Sequence, residues 1–212
     1  MPETSDSYFC AARASECELK EKGSRFIGRV YPIADRTKIE DTLDSLRKKE
    51  HDATHHCFAW RLRDENEAFR YSDDGEPGGS AGKPIYDQLC GADVTNTLVV
   101  VTRYFGGTKL GVGGLVRAYG SAAKAALEAS GRVERFDLAR FSVVVDFPLY
   151  KPLTRLAQEL EATILNSDFS DRVTVELAVR QSRSERFEKR FTELTHGKGQ
   201  LSRLDQQPGE DT

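Results

Sequence analysis

Residues 71–127 contain the two glycine-rich segments on which the predicted fold depends. Residues 71–89 read YSDDGEPGGSAGKPIYDQL, and residues 95–127 read TNTLVVVTRYFGGTKLGVGGLVRAYGSAAKAAL. Each glycine-rich turn leads into a helix-like stretch, and residues 97–105, which lie between them, are apolar and β-branched without alternation. Such a run is typical of a central strand buried on both faces. We therefore predict a buried strand, a loop and a helix in succession.

The residues before this stretch predict further strands and one helix. We expect a loose tail over residues 1–14, followed by two strands in residues 15–33 that are broken at Lys22-Gly23. Alternation in the second strand predicts that one of its faces is better covered than the other. Asp35 is suited to cap the helix that follows, and a polar turn at residues 64–66 predicts a hairpin.

The residues after this stretch predict a thin helix and then a second domain. Small residues dominate 115–130, so this helix can pack very close to a sheet. From residue 138 onward the pattern predicts the order β-α-β-β-α-β of a ferredoxin-like domain. We therefore predict an α+β protein with an α/β domain over residues 1–133 and a ferredoxin-like domain over residues 134–212. The final residues, 206–212, are expected to be disordered.

Composition narrows the class of protein. The net charge is −3 and the pI is near 5.9, whereas a protein that coats long nucleic acid is usually more basic. The four cysteines have no CxxC pair or zinc-ligand spacing, which is typical of reduced thiols in a cytosol. No window is long and apolar enough for a membrane span, and the first residues lack the pattern of a signal peptide. We expect a cytoplasmic protein.

The second glycine-rich segment, FGGTKLGVGG, is basic and joins a strand to a helix. Its glycines let backbone N–H groups face a ligand, and the helix N-terminus adds a partial positive charge. We therefore predict a surface that binds phosphate groups, most simply those of nucleic acid. The alternative is that the glycines only permit a tight turn and close packing. The candidate contacts are Arg103, Gly106, Gly107, Lys109, Gly111, Gly113, Gly114, Arg117 and Lys83.

The first glycine-rich segment is acidic and leaves two interpretations open. Asp73, Asp74 and Glu76 are oxygen donors of the kind that hold Mg²⁺ beside a phosphate. The same residues, next to Gly75 and Pro77, are equally suited to a turn without any ligand. A single turn seldom aims two carboxylates at one substrate atom, so we do not predict that they are catalytic.

Two histidines and several aromatic residues are further candidates for ligand contact. In a strand, His55 and His56 face opposite sides of the sheet, so they cannot chelate one metal ion together. One of them can still line the ligand surface. Tyr71 and Tyr104 flank the glycine-rich segments and are candidates for stacking on the bases of RNA.

Three long motifs resemble the IMPACT/YigZ family. They are HHCFAWRL, YSDDGEPGGSAGKPIYDQL and VVVTRYFGGTKLGVGGLVRAYG. The resemblance implies an amino-terminal domain like that of a small-subunit ribosomal protein and of elongation factor G domain IV. It also implies a carboxy-terminal domain like elongation factor G domain V. The eukaryotic relatives act in translational control by restraining an initiation-factor kinase through its ribosome-associated activator.

The resemblance and the residues together support three functional hypotheses. The first is a translation-associated protein that binds RNA or ribosomal surfaces through the basic loop, without catalysis and with no cofactor. The second is an enzyme or nucleotide-binding protein that uses the acidic turn and the phosphate loop. It draws on a partial likeness of LGVGGLVRAYGSAA to the loop of GHMP-type kinases. The third is a protein-interaction module that docks on a translation factor.

Overall fold

A computed structural model describes residues 6–63 and 68–204. The first elements are β1 (Ser7–Ala11), β2 (Ser15–Glu21), β3 (Ser24–Pro32), α1 (Arg36–Lys49), β4 (His55–Arg61), β5 (Phe69–Ser72), α2 (Gly82–Gly91), β6 (Thr97–Tyr104), α3 (Val112–Ser130) and β7 (Arg132–Phe136). They are followed by β8 (Leu138–Val145), α4 (Phe147–Glu159), β9 (Thr163–Phe169), β10 (Val173–Arg180), a 3-10 turn (Gln181–Arg183), α5 (Ser184–Thr195) and β11 (Gln200–Leu204). Residues 9–134 form one compact unit, and residues 6–8 belong with 135–204 in a second.

An antiparallel sheet in the order β2-β3-β6-β4-β5 forms the middle layer of the unit that spans residues 9–134. The central strand, β6, is buried from Thr97 to Arg103, which confirms the prediction of a strand covered on both faces. Helices α2 and α3 pack on one face of the sheet, and α1 packs on the other. Asp35 caps α1 as predicted, because its Oδ1 accepts the N–H of Lys38 at 2.9 Å.

The β2–β3 hairpin confirms the predicted break at Lys22-Gly23. Both residues have positive φ, 46° and 81°, as a two-residue type I′ turn requires. The face of β3 that carries Phe26 and Val30 is fully buried, whereas on the other face Arg25 is exposed and Tyr31 is half-buried, as the alternation predicted. The middle of the second face is nevertheless buried, where Arg29 is 5% exposed and donates to Glu50 Oε2 at 3.0 Å. The predicted turn at residues 64–66 lies outside the described residues.

Helix α3 packs directly on β3 through its small residues, as predicted. A Cβ added at Gly28 would stand 2.4 Å from the carbonyl oxygen of Ala122, so only glycine permits this approach. The helix begins at Val112, three residues before the predicted start. The expectation of a loose tail over residues 1–14 is also wrong, because β1 lies within it and pairs with β7 in a two-stranded ladder.

The unit that includes residues 135–204 has the predicted order β-α-β-β-α-β. Its sheet runs β11-β8-β10-β9, with antiparallel pairing throughout. Side chains of α4 and α5 share one apolar core with β8 and β10, including Phe141, Leu153 and Phe187. The ferredoxin-like topology is therefore confirmed, and with it the mixed α+β fold. The predicted disordered end, residues 206–212, lies outside the described residues.

Candidate nucleic-acid interface

The acidic turn is organised around the carboxylate of Asp73. Its Oδ1 accepts the N–H groups of Ala81 and Gly82 at 2.9 and 2.8 Å, and its Oδ2 accepts that of Gly79 at 2.8 Å. Partial burial tends to raise the pKa of Asp73, but these three N–H bonds outweigh burial and lower the pKa below its ordinary value. Asp73 therefore closes the loop that leads into α2, which favours the turn interpretation of this residue.

Asp74 fixes the same turn to strand β4. Its Oδ2 accepts the backbone N–H of His56 at 2.6 Å, and its own backbone is left-handed, with φ 43°. His55 Nδ1 lies 2.7 Å from the backbone oxygen of Asp74. His56 points to the opposite face, where its ring nitrogens lie 3.2 Å from Thr102 Oγ1 and from the carbonyl oxygen of Glu50. The two histidines are thus separated by the sheet, as predicted.

Glu76 joins the acidic segment to the basic one. It is 9% exposed, and its Oε1 lies 2.6 Å from Arg103 Nη1 and 2.7 Å from the hydroxyl of Tyr119. His55 Nε2 stands 3.8 Å from the same oxygen. The two glycine-rich segments therefore meet, and they meet through a buried ion pair. Neither Glu76 nor Arg103 presents its charge to solvent.

Arg103 supports the basic loop from beneath. Its Nη2 donates to Ser24 Oγ at 3.3 Å, and the same oxygen accepts the N–H of Gly106 at 3.2 Å. Its guanidinium also lies 5.4 Å from the centre of the Phe105 ring, which is within cation–π range. Since Arg103 is only 5% exposed, the structure places it below the predicted phosphate-binding surface.

The glycines of the basic segment divide into two groups. Gly106 and Gly114 are set by packing, because a Cβ at Gly106 would stand 1.9 Å from the backbone of Gly23 and one at Gly114 would stand 2.9 Å from Leu110 Cβ. Gly107 and Gly111 have positive φ, 83° and 71°, with open space around them. Gly113 also lies at the exposed start of α3. Packing thus accounts for Gly106 and Gly114, whereas Gly107, Gly111 and Gly113 lie at the surface.

The exposed part of this segment is open to solvent and positively charged. Residues 105–109 are all exposed, and Lys109 and Arg117 are both at the surface. Helix α3 starts at the end of this loop, and in the described chain its N-terminus has no side-chain cap and no acidic residue in the first turn. Lys83 is exposed on α2, where it forms an ion pair with Asp87 one turn along.

The two predicted stacking residues lie on different faces of the sheet. Tyr71 is 41% exposed and packs beside Tyr86 of α2, with ring centres 5.7 Å apart. Phe69 stacks on the same Tyr86 at 4.8 Å. Tyr104 instead contacts Arg25, whose guanidinium lies 4.5 Å from the ring centre on the side of the sheet that α1 covers. Of these two residues, only Tyr71 belongs to an aromatic cluster, which lies on the face of the sheet that α2 covers.

The sequence reasoning missed Ser24 and did not predict that Tyr119, an aromatic residue near the second glycine-rich segment, bonds to Glu76. Tyr119 is fully buried, and burial raises its pKa, so it serves as a neutral donor to Glu76. Cys57 lies nearby and donates to the backbone oxygen of Asp73 at 3.0 Å, and burial also raises the pKa of its thiol. Helical spacing could have found Tyr119, because it follows Leu115 and Ala118 on the apolar stripe of α3.

All three carboxylates of the acidic turn bind groups of the protein itself. Within residues 6–63 and 68–204, no group of three or more His, Cys, Asp or Glu side chains is arranged to hold a metal ion. In the same ranges, no helix is long and apolar enough to cross a membrane.

These features define a two-domain α+β protein with an exposed basic loop supported by a buried Glu–Arg–Tyr cluster. Residues 22–127 match the model of the Impact N-terminal domain, and residues 143–198 match that of a domain of unknown function, DUF1949. The chain belongs to the IMPACT family, as the three motifs indicated.

Relatives of this family match most of the chain. IMPACT family member YvyE of Bacillus subtilis (strain 168) is 32% identical over 195 residues, which cover 92% of this chain and 90% of YvyE. IMPACT family member YigZ of Escherichia coli (strain K12) is 32% identical over 187 residues, covering 87% and 92% of the two chains. A crystal structure described as that of a hypothetical protein has a TM-score of 0.67 and 30% identity, and covers 95% of this chain and 99% of its own.

Proposed function

We propose that this protein binds RNA in association with translation, without catalysing a reaction itself. The observation that carries the proposal is the exposed glycine-rich segment, which presents Lys109 in the loop before the 19-residue helix α3 and Arg117 near the start of that helix. Cationic side chains and a helix N-terminus together favour phosphate. Family membership supports the translational setting, since the resemblance implies translational control for the eukaryotic relatives.

The loop is held in shape before any ligand arrives. Arg103 and Gly106 both bond to Ser24, and Gly106 packs directly on the Gly23 backbone. A loop fixed in this way loses little conformational entropy when it binds, which favours affinity. In this proposal Arg103 positions the loop, and Lys109 and Arg117 contact the phosphates.

The aromatic cluster on α2 and β5 favours single-stranded RNA over a duplex. Phe69 and Tyr71 are 49% and 41% exposed, and both pack against Tyr86. Unpaired bases stack on exposed aromatic rings, whereas bases in a duplex are not available for stacking. Lys83 lies one turn before Tyr86, so its ammonium group, which pairs with Asp87, stands on the same helix as the cluster.

Residues that the enzyme hypothesis assigned to a substrate have other partners. Glu76 and Arg103 bind each other, and Asp73 and Asp74 bind backbone N–H groups. These contacts therefore support the non-catalytic proposal more than they support the enzyme hypothesis.

Fluorescence anisotropy with a labelled single-stranded RNA, measured across salt concentrations, tests the proposal. For single strands, each phosphate contact contributes about 0.7 to the slope of log K against log salt. The Lys109→Ala/Arg117→Ala variant should therefore lower that slope by about 1.4 if both residues contact phosphate. Lys124→Ala is the matched control, because Lys124 is exposed on the same helix and forms an ion pair with Glu128 at 3.8 Å.

Two results would overturn this proposal. One is no salt-dependent binding of RNA by the wild-type chain. The other is a loss of slope in Lys124→Ala of half that in the double variant or more, which would mean that binding follows net charge alone, because the double variant removes two charges and Lys124→Ala removes one. Pull-down from lysate with and without nuclease distinguishes the protein-interaction hypothesis from RNA binding. A translation factor that binds this protein directly should remain bound after nuclease treatment.

A further inference from the structure

Phe105 stands at the start of the exposed basic segment and presents an aromatic ring to solvent. It directly follows β6 and is 46% exposed, although phenylalanine is usually a buried residue. Residues 94–127 contain Arg103, Lys109, Arg117 and Lys124 but no aspartate or glutamate, so this stretch of chain carries positive charge only. An exposed aromatic ring beside cations is typical of proteins that bind single-stranded nucleic acid.

Hydrogen bonds hold the backbone on either side of this ring. The N–H of Phe105 donates to Thr54 Oγ1 at 3.0 Å, and the N–H of Gly106 donates to Ser24 Oγ at 3.2 Å. The N–H of Thr54 in turn donates to the carbonyl oxygen of Arg103 at 2.8 Å. A ring on a fixed backbone has few conformations to lose when a ligand binds, which favours affinity.

Arg103 covers one face of the ring and leaves the other side open. Its guanidinium lies over the Phe105 ring, 5.4 Å from the ring centre. Arg103 is 5% exposed and binds Glu76, so its guanidinium stays beneath the surface. The exposed area of Phe105 is therefore the part that Arg103 does not cover. A flat ring with one open side is a surface on which a base can stack.

We propose that Phe105 stacks on one unpaired base of the RNA strand whose phosphates Lys109 and Arg117 contact. This inference rests on the proposed function and adds the residue that distinguishes a nucleic acid from other polyanions. Lys109 and Arg117 attract any chain of phosphates, whereas an aromatic ring gains only from a ligand that carries bases. Every base has a face that can stack, so we expect little sequence preference at this position.

This position is separate from the aromatic cluster of β5 and α2. Phe69 pairs with Arg61, and Arg61 pairs with Thr97 at the start of β6, whereas Phe105 follows the end of the same strand. The eight residues of β6, at about 3.3 Å each, span roughly 25 Å. The two aromatic positions therefore bind different bases of one strand.

Fluorescence anisotropy with a labelled single-stranded RNA measures the contribution of the ring. Phe105→Ala should weaken binding about five- to 150-fold, the effect of losing one stacked base. The slope of log K against log salt should stay unchanged, because no phosphate contact is lost. Phe105→Trp should bind as tightly as the wild type, since it keeps an aromatic ring. Phe147→Ala is the matched control, because Phe147 is 52% exposed in the other unit.

Inorganic polyphosphate, which has phosphates but no bases, distinguishes stacking from support of the loop. By isothermal titration calorimetry, Phe105→Ala should bind polyphosphate as tightly as the wild type does. Equal losses for RNA and polyphosphate would show that Phe105 only shapes the loop, and would overturn the proposal. An unchanged RNA affinity in Phe105→Ala would also overturn it, and a lower salt slope in Lys109→Ala/Arg117→Ala would then leave the proposed function standing. A wild-type chain without salt-dependent RNA binding overturns both.

Discussion

Glu76 and Arg103 form an ion pair, 2.6 Å between Oε1 and Nη1, that is buried under the two glycine-rich segments. The pair has a side-chain exposure of 4% and 6%, so neither charge is hydrated. Tyr119 donates to the same carboxylate oxygen, and Ser24 accepts from the same guanidinium. This cluster therefore links the acidic turn, strand β6, helix α3 and the β2–β3 hairpin, and its integrity decides the shape of the basic loop.

Substituting Glu76→Gln should destabilise the protein strongly. It leaves the Arg103 charge buried without a counter-charge, and breaking a buried pair in this way costs about 3–5 kcal/mol. The measurement is the free energy of unfolding from denaturant titration. Glu128→Gln is the control, since Glu128 lies in an exposed pair with Lys124 and such pairs contribute about 0–1 kcal/mol.

A double substitution measures the interaction between Glu76 and Arg103 apart from their contacts with other residues. Glu76→Gln combined with Arg103→Met removes the unpaired charge, so the loss should be smaller than the sum of the two single losses. Additive losses would show that Glu76 and Arg103 do not interact energetically.

Tyr119→Phe should reduce the stability by about 1–3 kcal/mol, because it removes a donor from a buried carboxylate. Denaturant titration measures this loss too. Tyr104→Phe serves as the control, since Tyr104 is partly exposed on the other face of the sheet. Equal stability of Tyr119→Phe and the wild type would mean that Arg103 alone satisfies Glu76.

Much of the fold could be predicted from local pattern. The unbroken apolar run of β6 predicted its central place, and Lys22-Gly23 predicted a hairpin because few residue pairs adopt two positive φ values. The burial of Arg29 on the second face of β3 was not predicted, because arginine is mostly an exposed residue. Its burial depends on Glu50, 21 positions away, and no local pattern shows such a partner.

The candidate site was only partly predictable, for the same physical reason. The glycines and Lys109 stand out in the sequence, and the structure places Lys109 at the surface. Arg103 looks like a ligand contact until Glu76, 27 positions earlier, is known to bind it. The alternation of side chains along β6 shows which face of the strand carries Arg103. The sequence of β6 does not show that α3 covers that face.

Gly28→Ala should test the close contact between β3 and α3. The added methyl group would stand 2.4 Å from Ala122 O and 3.3 Å from Ala126 Cβ, so strand and helix must separate. Overpacking of this kind costs about 1–3 kcal/mol, measured as the change in the free energy of unfolding. Gly78→Ala is matched, since nothing lies within 4 Å of its Cβ position. If Gly28→Ala has the same free energy of unfolding as the wild type, the close contact between β3 and α3 is not rigid.

Asp73 should make the stability of the protein depend on pH in the acidic range. Its folded pKa is lower than its ordinary value of 3.8, chiefly because three N–H bonds overcome the effect of partial burial. The carboxylate therefore contributes stability above pH 3.8, and that contribution is lost as the pH falls through the folded pKa.

Asp73→Asn keeps one oxygen acceptor but turns an amide N–H₂ toward the Gly79 N–H, so it should be less stable than the wild type at neutral pH. The difference between the two proteins should begin to shrink as the pH falls below 3.8, and it should be smallest below the folded pKa, where the native wild-type carboxyl is protonated. Thermal unfolding of both proteins from neutral to acidic pH measures this difference, and because the two are compared at each pH, other acidic groups cancel. A difference that stays constant with pH would show that Asp73 acts through its shape and not through its charge.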